Sequence, residues 1–223
     1  MRPEPIRNDA YATRRDEMVE RQIAARGVRS GKVLDAMRAV PREAFVPENL
    51  REFAYEDSPL PIGSGQTISQ PYIVACMIEA LALAGGENVL EVGAGSGYAA
   101  AVLGQIAGSV WALERIPELA DRAARTIGEL GYDNVVIRQG DGTKGWPEHA
   151  PFDAIVVAAG GREVPDPLRQ QLKIGGRLVI PVARDALFQE LVCITRRDEQ
   201  EYSERSIAPV RFVPLVSDPA PPP

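Results

Sequence analysis

Short apolar runs alternate with amphipathic stretches through the middle of the chain. The runs are rich in Val, Ile and Leu and have the length of buried strands, whereas the stretches between them repeat their apolar positions with helical spacing. The predicted strands are 89–92, 110–114, 134–138, 152–158 and 177–181, and the predicted helices between them are 98–106, 117–130 and 164–172. This alternation favours a doubly wound, mostly parallel α/β sheet with helices on both faces.

The two ends of the chain are patterned differently from this middle part. Before the sheet, amphipathic helices are predicted at 14–26 and 30–39, and an irregular acidic segment is expected to follow them up to Asp57. After the sheet, two more strands at 187–196 and 210–215 are expected to form a closing antiparallel hairpin.

These patterns together predict one compact unit with a Rossmann-like core. Residues 1–84 would form a helical cap, residues 85–217 the ligand-binding core, and the Pro-rich residues 218–223 a disordered tail that has nothing to bury. A length of 223 residues, of which 45% are hydrophobic and 25% charged, suits such a unit.

A glycine-rich turn follows the first strand of the core. Gly93, Gly95 and Gly97 occupy alternate positions between this strand and the next helix. Without Cβ atoms the backbone can approach a ligand closely, and the first amides of the helix point at it. A dinucleotide-binding loop would have its third glycine at position 98, which is Tyr98. The spacing E-x-G-x-G-x-G from Glu91 instead resembles motif I of the class I S-adenosylmethionine-dependent methyltransferases, although a tight turn without a ligand is the alternative.

Acidic residues follow the next two strands. Glu114 ends the strand 110–114, where a carboxylate can accept hydrogen bonds from both ribose hydroxyls of an adenosine. Asp141 follows the strand 134–138 and resembles the residue that faces the adenine amino group in such methyltransferases. A surface glutamate and a plain Asp-Gly turn are the alternatives. Since ligands bind at the carboxyl ends of parallel strands, we expect both acids to lie near Gly93.

The stretch 60–69, LPIGSGQTIS, is the second informative segment. Gly63 and Gly65 predict an irregular backbone, and Ser69 stands before a helix that has Pro71 in its first turn and extends to about Ala84. An ordinary N-cap is the structural explanation of Ser69, and it does not exclude a functional role.

Composition and charge narrow the classes of function. The net charge of −6 argues against a nucleic-acid partner, because phosphate binding needs a basic face. The chain has no apolar run of about 18 residues that would predict a membrane span. The N-terminus is charged and lacks the apolar region of a secretory signal, so we expect a cytosolic protein. A monomer is expected, since no exposed apolar helix stands out.

The residue types that bind metals are sparse. Cys76 and Cys193 lie far apart in apolar surroundings, which predicts buried thiols rather than a disulfide or a zinc site. His149, the only histidine, lies in a PEHAP loop and is predicted to be a solvated loop residue.

Segments that cover nearly the whole chain resemble the protein-L-isoaspartate O-methyltransferases, in particular their bacterial or archaeal branch. The segments GQTISQP at 65–71 and VRFVPL at 210–215 are more specific to this family than the glycine loop. The resemblance implies transfer of a methyl group from S-adenosylmethionine to the free α-carboxylate of L-isoaspartyl residues in damaged proteins and peptides. It implies S-adenosyl-L-homocysteine as the product and no metal ion.

The resemblance also implies which residues form the site. Ser69 corresponds to the active residue of the family. The implied cofactor-binding residues are Gln66, Thr67, Ile68, Glu91, Gly93, Gly95, Ser96, Gly97, Glu114, Arg115, Asp141, Gly142 and, less directly, Gln189.

The chemistry of this reaction agrees with the lack of histidines. A carboxylate is ionised at pH 7 and needs no general base to attack a sulfonium methyl group. Ser69 would then orient the carboxylate, and catalysis would come from positioning and exclusion of water. The alternatives are a methyltransferase of the same fold that acts on a small molecule, and a binding protein that keeps the cofactor fold without turnover. A nicotinamide-dependent oxidoreductase is disfavoured by Tyr98.

Overall fold

The computed structural model describes residues 10–185 and 188–217, and it begins with a group of short helices. These are α1 (Ala12–Glu17), a π-helical turn (Met18–Ile23), a 3₁₀ turn (Ala24–Arg26) and α2 (Gly31–Ala39). Both predicted N-terminal helices are therefore confirmed. The acidic segment before Asp57 that was expected to be irregular contains the 3₁₀ helix Glu48–Phe53, and another 3₁₀ helix, Arg42–Phe45, precedes it. The tail 218–223, predicted to be disordered, lies outside the described residues.

The segment at 60–69 forms a hairpin, so the prediction of an irregular backbone was wrong. β1 (Leu60–Gly63) pairs antiparallel with β2 (Gln66–Ile68). Ser64 and Gly65 form the turn with φ values of 51° and 69°, which is the geometry of a two-residue hairpin loop with positive φ at both positions. The glycines belong to a tight turn, and strands of four and three residues are too short for their alternation to be recognised in the sequence.

The helix after this hairpin is α3 (Pro71–Leu81). Its N-cap is Gln70, and no side chain caps it, so the explanation of Ser69 as an N-cap is wrong. The helix ends at Leu81, before the predicted Ala84, because Ala82 adopts a left-handed conformation with φ of 52°.

A seven-stranded sheet forms the centre of the described part of the protein. Its strands are β3 (Asn88–Val92), β4 (Ser109–Glu114), β5 (Val135–Gln139), β6 (Phe152–Val157), β7 (Leu172–Ala183), β8 (Gln189–Arg196) and β9 (Tyr202–Val210). Their spatial order is β5-β4-β3-β6-β7-β8-β9. The pairs from β5 to β7 are parallel, whereas β8 pairs antiparallel with both β7 and β9. The predicted mostly parallel sheet with an antiparallel hairpin is confirmed.

The crossover helices agree with the prediction at their centres and differ at their ends. They are α4 (Tyr98–Ile106), α5 (Pro117–Glu129) and α6 (Asp166–Gln170). The helix predicted at 164–172 is shorter, because Pro165 precedes it and Leu172 already belongs to β7.

The last strand was predicted in the wrong place. β9 is Tyr202–Val210, a sheet edge whose side chains are half-buried or exposed and so show no apolar run. The apolar segment predicted as a strand at 210–215 instead runs along Gly160, which forms an isolated bridge with Pro214. Its apolar side chains line cavities at the rim of the sheet. Residue 187, the first of the other predicted strand, lies outside the described residues.

The side chains of the sheet pack on both faces. One cluster joins Val89 and Val110 to the N-terminal helices and to buried residues of α3, α4 and α5. The other joins Leu90 and Ile155 to Trp146 and to Leu168 of α6. The crossovers therefore change face between β3 and β6, which are neighbours in the sheet. In open α/β sheets, ligands bind beside such a switch point at the carboxyl ends of the strands.

His149 lies at the opposite end of the sheet and is not a solvated loop residue as predicted. It is half-buried, and its ring stacks on Trp111 with an interplanar angle of 8°. The loop is held there because the side-chain amide of Asn88, at the start of β3, donates to the His149 carbonyl at 2.8 Å. Of the two predicted buried thiols, Cys193 is buried and Cys76 is half-buried, and both are free.

Candidate active site

A cavity of about 950 Å³, part of it open to solvent, lies at the carboxyl ends of β3, β4 and β6. The hairpin β1–β2, the glycine loop and the segment 213–216 complete its wall. The predicted site residues on this wall are Gln66, Thr67, Ile68, Ser69, Glu91, Gly93, Gly95, Ser96, Glu114, Arg115 and Gly142. Gly97, Asp141 and Gln189 do not line it.

The glycine loop is fastened to the end of β4. Gly93, Gly95 and Gly97 have φ values of 86°, 56° and 88°, a region that side chains with a Cβ atom rarely adopt. The amide of Gly93 donates to the carbonyl of Leu113 at 2.8 Å, and the amide of Gly95 donates to the Glu114 carboxylate at 2.8 Å. Gly93 and Gly95 therefore present backbone to the cavity, and Ala94 and Ser96 of the same loop also line it.

Two of the predicted cofactor glycines are also required by packing. A Cβ atom on Gly97 would approach Ala123 and Ile137 at 3.3 Å, so this glycine lets α4 begin close to α5 and β5. A Cβ atom on Gly142 would lie 2.3 Å from a methyl group of Val92, so the loop after β5 can approach β3 only without a side chain there.

Glu114 is 7% exposed and accepts two backbone hydrogen bonds. One carboxylate oxygen accepts from the amide of Gly95 and the other from the amide of Ile116 at 2.9 Å. Each oxygen of an ionised carboxylate can accept a second hydrogen bond. Glu114 is thus fixed in orientation and can still accept from hydroxyl groups in the cavity.

Glu91 is fully buried, and neither of its carboxyl oxygens has a hydrogen-bond partner among the described residues. Burial, and secondly the charge of Glu114, raises the pKa of Glu91 well above its ordinary value. A buried carboxyl group without partners is costly. Its place on the cavity wall fits a ligand that carries a cationic or hydrogen-bond-donating group, such as the amino acid part of S-adenosylmethionine.

Asp141 turns away from the cavity wall. Its carboxylate accepts from the amide of Thr143 at 3.0 Å and from the Thr143 hydroxyl at 2.7 Å, and it lies 3.5 Å from the ammonium group of Lys144. Its neighbours Gly140 and Gly142 do line the cavity. The Asp-Gly turn that was the alternative is therefore present, and a contact with adenine stays a prediction.

Gln189 supports the C-terminal segment rather than the cavity wall. Its side-chain amide donates to the carbonyl of Phe212 at 3.2 Å, and its carbonyl oxygen accepts from the amide of Phe212 at 2.6 Å. The Phe212 segment is therefore held against β8. A direct contact of Gln189 with a cofactor stays a prediction.

Ser69 lies where the cavity meets a second, open groove. The residues that line both are Thr67, Ser69, Ala158 and Val213, and we call them the partition. Residues 209–213 form another side of the groove. The carbonyl of Ser69 accepts from Arg42 at 2.9 Å, and its hydroxyl has no hydrogen-bond partner among the described residues. The hydroxyl is therefore available to a group that enters between cavity and groove.

The structure adds site residues that the sequence did not indicate. Val213 to Val216 and Ala158 border the cavity, and Arg42 contacts Ser69 from behind. The segment VRFVPL was noticed as a family signature, but its apolar character was attributed to a strand. No local pattern marks Arg42, since its partners are far from it in sequence.

Neither a cluster of metal-binding side chains nor a membrane-spanning helix is found in the part of the chain that the structure describes. Within residues 10–185 and 188–217, no three His, Cys, Asp or Glu side chains are grouped so that they could hold a metal ion. No helix in these ranges has both the length and the apolar character that crossing a bilayer requires.

Comparisons with known proteins agree with this geometry. The sequence model of the family described as "Protein-L-isoaspartate(D-aspartate) O-methyltransferase (PCMT)" matches residues 13–220. Protein-L-isoaspartate O-methyltransferase 1 of Rhodopseudomonas palustris strain HaA2 is 62% identical over 216 residues, which are 96% of this chain and 88% of that protein. Protein-L-isoaspartate O-methyltransferase 2 of Pelobacter propionicus is 56% identical over 95% of this chain and 93% of that protein.

Solved structures show the same relationship. A protein-L-isoaspartate O-methyltransferase superposes with a TM-score of 0.82 and 30% identity, over 91% of this chain and 66% of that one. A putative enzyme of this name from Plasmodium falciparum, in complex with S-adenosyl-L-homocysteine, superposes with a TM-score of 0.79 and 26% identity, over 92% of this chain and 99% of that one. The chain belongs to the protein-L-isoaspartate(D-aspartate) O-methyltransferase family.

Proposed function

We propose that this protein transfers the methyl group of S-adenosylmethionine to the free α-carboxylate of L-isoaspartyl residues in damaged proteins and peptides. The products would be the methyl ester and S-adenosyl-L-homocysteine. The observation that carries this proposal is the free hydroxyl of Ser69 on the partition between the cavity and the open groove. A peptide in the groove could present one carboxylate at Ser69 while a nucleoside occupies the cavity.

The residues of the cavity fit S-adenosylmethionine. Glu114 offers fixed acceptor oxygens of the kind that binds ribose hydroxyls, and Gly93 and Gly95 present backbone without side chains. The amide of Ser96, at the start of α4, has no partner among the described residues and can donate to a carboxylate. Glu91 can accept from an ammonium group. When bound, S-adenosylmethionine supplies an electrophilic methyl group.

The chain's own residues would position the acceptor rather than activate it. The substrate α-carboxylate is ionised at neutral pH, so no side chain has to remove a proton. Ser69 would donate one hydrogen bond that fixes the attacking oxygen in line with the methyl group. The apolar side chains of Ala158 and Val213, on the same partition, would keep water out.

The methyl ester would complete a repair sequence without further work by the protein. The ester carbonyl is more electrophilic than a carboxylate, so the neighbouring backbone amide nitrogen attacks it, methanol leaves, and a succinimide ring closes. Hydrolysis of the ring then gives back some normal aspartyl bonds. We further propose that the protein acts in the cytosol as a monomer, without a metal ion and without nucleic-acid or membrane partners. The net charge of −6 supports the absence of a nucleic-acid partner, and a reaction that needs no Lewis acid supports the absence of a metal ion.

The test is methyl transfer from labelled S-adenosylmethionine to a synthetic isoaspartyl peptide and to its normal aspartyl twin. We expect label in the isoaspartyl peptide, lost again as the succinimide forms, and none in the twin. Equal labelling of the two peptides would contradict the proposed specificity. If S-adenosylmethionine binds and neither peptide is labelled, the function is that of a small-molecule methyltransferase or of a binding protein.

A further inference from the structure

Arg42 is a fully buried cation behind the partition. It belongs to the 3₁₀ helix Arg42–Phe45 and is 0% exposed. Arginine is almost never fully buried unless it is paired with an acid. No acidic side chain lies within ion-pair distance of Arg42 in residues 10–185 and 188–217. Its neighbour in the same region, Arg15, lies 3.8 Å from the carboxylate of Glu43 and so follows the usual pattern.

The guanidinium group of Arg42 touches three parts of the protein at once. Its Nε donates to the carbonyl of Ala54 at 2.7 Å, and its Nη2 donates to the carbonyl of Ser69 at 2.9 Å. Its central carbon lies 4.8 Å from the ring centroid of Tyr98, the first residue of α4 and part of the cavity wall. Arg42 therefore ties Ser69 to the N-terminal helices on one side and to the glycine-loop helix on the other.

The charge of Arg42 persists under ordinary conditions. Burial lowers the pKa of Arg42 to about 10, which still leaves the guanidinium protonated at neutral pH. A buried charge is expensive, and the charge of Asp57, which acts on Arg42 from beyond ion-pair distance, offsets only part of that cost together with the carbonyl and aromatic contacts. Nη1 has no hydrogen-bond partner among the described residues. The cation thus contacts the backbone of Ser69, the residue whose hydroxyl would meet the carboxylate of the proposed substrate.

We propose that Arg42 is a positioning residue for the methyl-accepting carboxylate. It holds Ser69 through the Ser69 carbonyl, and it gives the partition a positive potential that attracts the α-carboxylate of the substrate. This inference rests on the proposed function, since it needs an anionic acceptor beside Ser69. Arg42 does not itself touch the reacting atoms.

Three variants separate this role from general stability. Arg42→Gln removes the charge and keeps one donor, whereas Arg42→Lys keeps the charge and loses the two-sided donation. Arg14→Gln is the matched control, because the exposed Arg14 donates to the carbonyl of Glu52 at 3.0 Å and stands away from the cavity. Kinetics with the isoaspartyl peptide would be combined with calorimetry of S-adenosyl-L-homocysteine. Calorimetry would also compare the isoaspartyl peptide with its neutral α-amide twin on the protein loaded with S-adenosyl-L-homocysteine.

For Arg42→Gln we expect KM for the peptide to rise roughly tenfold and kcat to fall, as on loss of a charge-assisted contact that orients a reacting group. Affinity for the carboxylate peptide should fall more than affinity for the amide twin. Affinity for S-adenosyl-L-homocysteine should stay within about threefold, because Arg42 does not line the cavity. Arg42→Lys should lower kcat but keep the preference for the carboxylate peptide, and Arg14→Gln should behave as the wild type.

Equal losses for the carboxylate peptide and its amide twin would overturn the electrostatic part of the proposal. A loss of the same size in Arg14→Gln, or a parallel fall in affinity for S-adenosyl-L-homocysteine, would reduce Arg42 to a structural residue. If thermal unfolding shows that Arg42→Gln does not fold, Arg42→Lys decides, and an unchanged kcat overturns the proposal. A wild-type protein that methylates no isoaspartyl peptide would contradict the proposed function itself. If the wild type is active and the Arg42 variants keep its kcat and KM, only this inference is contradicted.

Discussion

Two carboxyl groups of contrasting kind meet at the ends of β3 and β4. Glu114 is held by the amides of Gly95 and Ile116, whereas Glu91 is buried with no partner among the described residues. Burial stabilises the neutral form of Glu91 and so raises its pKa well above its ordinary value, whereas the two amides fix the orientation of Glu114. Two glutamates beside one glycine loop therefore differ in role: Glu114 offers oxygens of fixed orientation, and Glu91 offers a buried carboxyl group without a partner among the described residues.

Single substitutions at Glu114 and Ser69 should affect cofactor binding and methyl transfer separately. Glu114→Ala should weaken binding of S-adenosyl-L-homocysteine at least about tenfold, because charge-assisted hydrogen bonds are lost. Ser69→Ala should lower methyl transfer and leave that affinity nearly unchanged, since the Ser69 hydroxyl is free for the acceptor. Calorimetry and labelled-methyl kinetics measure both effects. Equal loss of both quantities in Ser69→Ala would show that Ser69 only shapes the cavity.

Glu91 should make the stability of the cofactor-free protein depend on pH. Because the native pKa of Glu91 is raised, the folded protein holds a proton that the unfolded chain releases above its pKa of about 4.3. The contribution of Glu91 to stability is therefore full below about pH 4.3 and falls as the pH rises toward the native pKa, by up to about 1.4 kcal/mol per pH unit. Glu91→Gln removes this loss, so its advantage over the wild type should grow with pH.

Urea unfolding between about pH 4.5 and pH 8 checks this expectation, since the linear extrapolation reports the free energy of unfolding at each pH. Glu129→Gln, on the exposed side of α5, is the control and should run parallel to the wild type. Parallel curves for Glu91→Gln as well would mean that water or a rearranged partner reaches Glu91.

At the scale of single residues, the sequence predicted best what spacing encodes. Of the eleven predicted residues that line the cavity, seven belong to motif I or to the ends of parallel strands and their loops, whose geometry is fixed, and the four at 66–69 were implied only by the family resemblance. Orientation within a loop was not predictable in this way. Asp141 turns toward Thr143, Gly97 faces α5, and His149 stacks on Trp111 because of tertiary neighbours that no local pattern encodes.

Among the elements, the hairpin β1–β2 controls one side of the cavity. Ile62 of β1 lies against the glycine loop, where a Cβ on Gly95 would approach its terminal methyl at 3.4 Å. The guanidinium of Arg122, on α5, donates to the carbonyl of Ile62. Since β2 carries Gln66 and Thr67 on the cavity wall, the contact of Arg122 fixes part of that wall from outside.

Arg122→Ala should therefore weaken cofactor binding without touching the cofactor. We expect affinity for S-adenosyl-L-homocysteine to fall roughly threefold to tenfold, which corresponds to the net contribution of about 0.5–1.5 kcal/mol of a typical hydrogen bond. Arg125→Ala is the matched control on the same helix, since Arg125 is exposed and has no partner among the described residues. Identical affinities of the two variants would show that the hairpin holds its position without Arg122.

Element prediction succeeded where burial decides the pattern and failed where it does not. The buried strands β3, β4 and β6 and the helix α4 agree with their predicted bounds almost residue by residue. The edge strand β9 and the short hairpin were missed, because edge and turn residues are selected by exposure and by backbone geometry. Apolar residues at 212–215 were placed in a strand, whereas they serve the wall of a cavity.

For the whole molecule, the N-terminal helices and one face of the sheet share a single hydrophobic cluster. Met18, Val33 and Phe45 belong to the same cluster as Val89 and Val110 of the sheet. Removing residues 1–84 would therefore expose the face of the sheet to water. We predict one cooperative unit rather than two separable domains.

Thermal unfolding should accordingly show a single transition that the cofactor product shifts upward. At a concentration of S-adenosyl-L-homocysteine about 100 times its Kd, the expected stabilisation is about 2.7 kcal/mol, or about 5–10 °C in Tm for a chain of this length. Differential scanning calorimetry of the full chain measures both features. Two transitions, only one of them moved by the ligand, would show that the N-terminal helices unfold independently.

The shared partition has a consequence for when the protein works. Thr67, Ser69, Ala158 and Val213 belong at once to the compartment of the nucleoside and to the groove of the peptide. A ligand in the cavity therefore orders residues that also line the groove. By thermodynamic reciprocity, the nucleoside and the peptide should each bind more tightly when the other is bound. Without S-adenosylmethionine the protein would then bind aged proteins weakly, so that the rate of their repair would depend on the cellular concentration of the methyl donor.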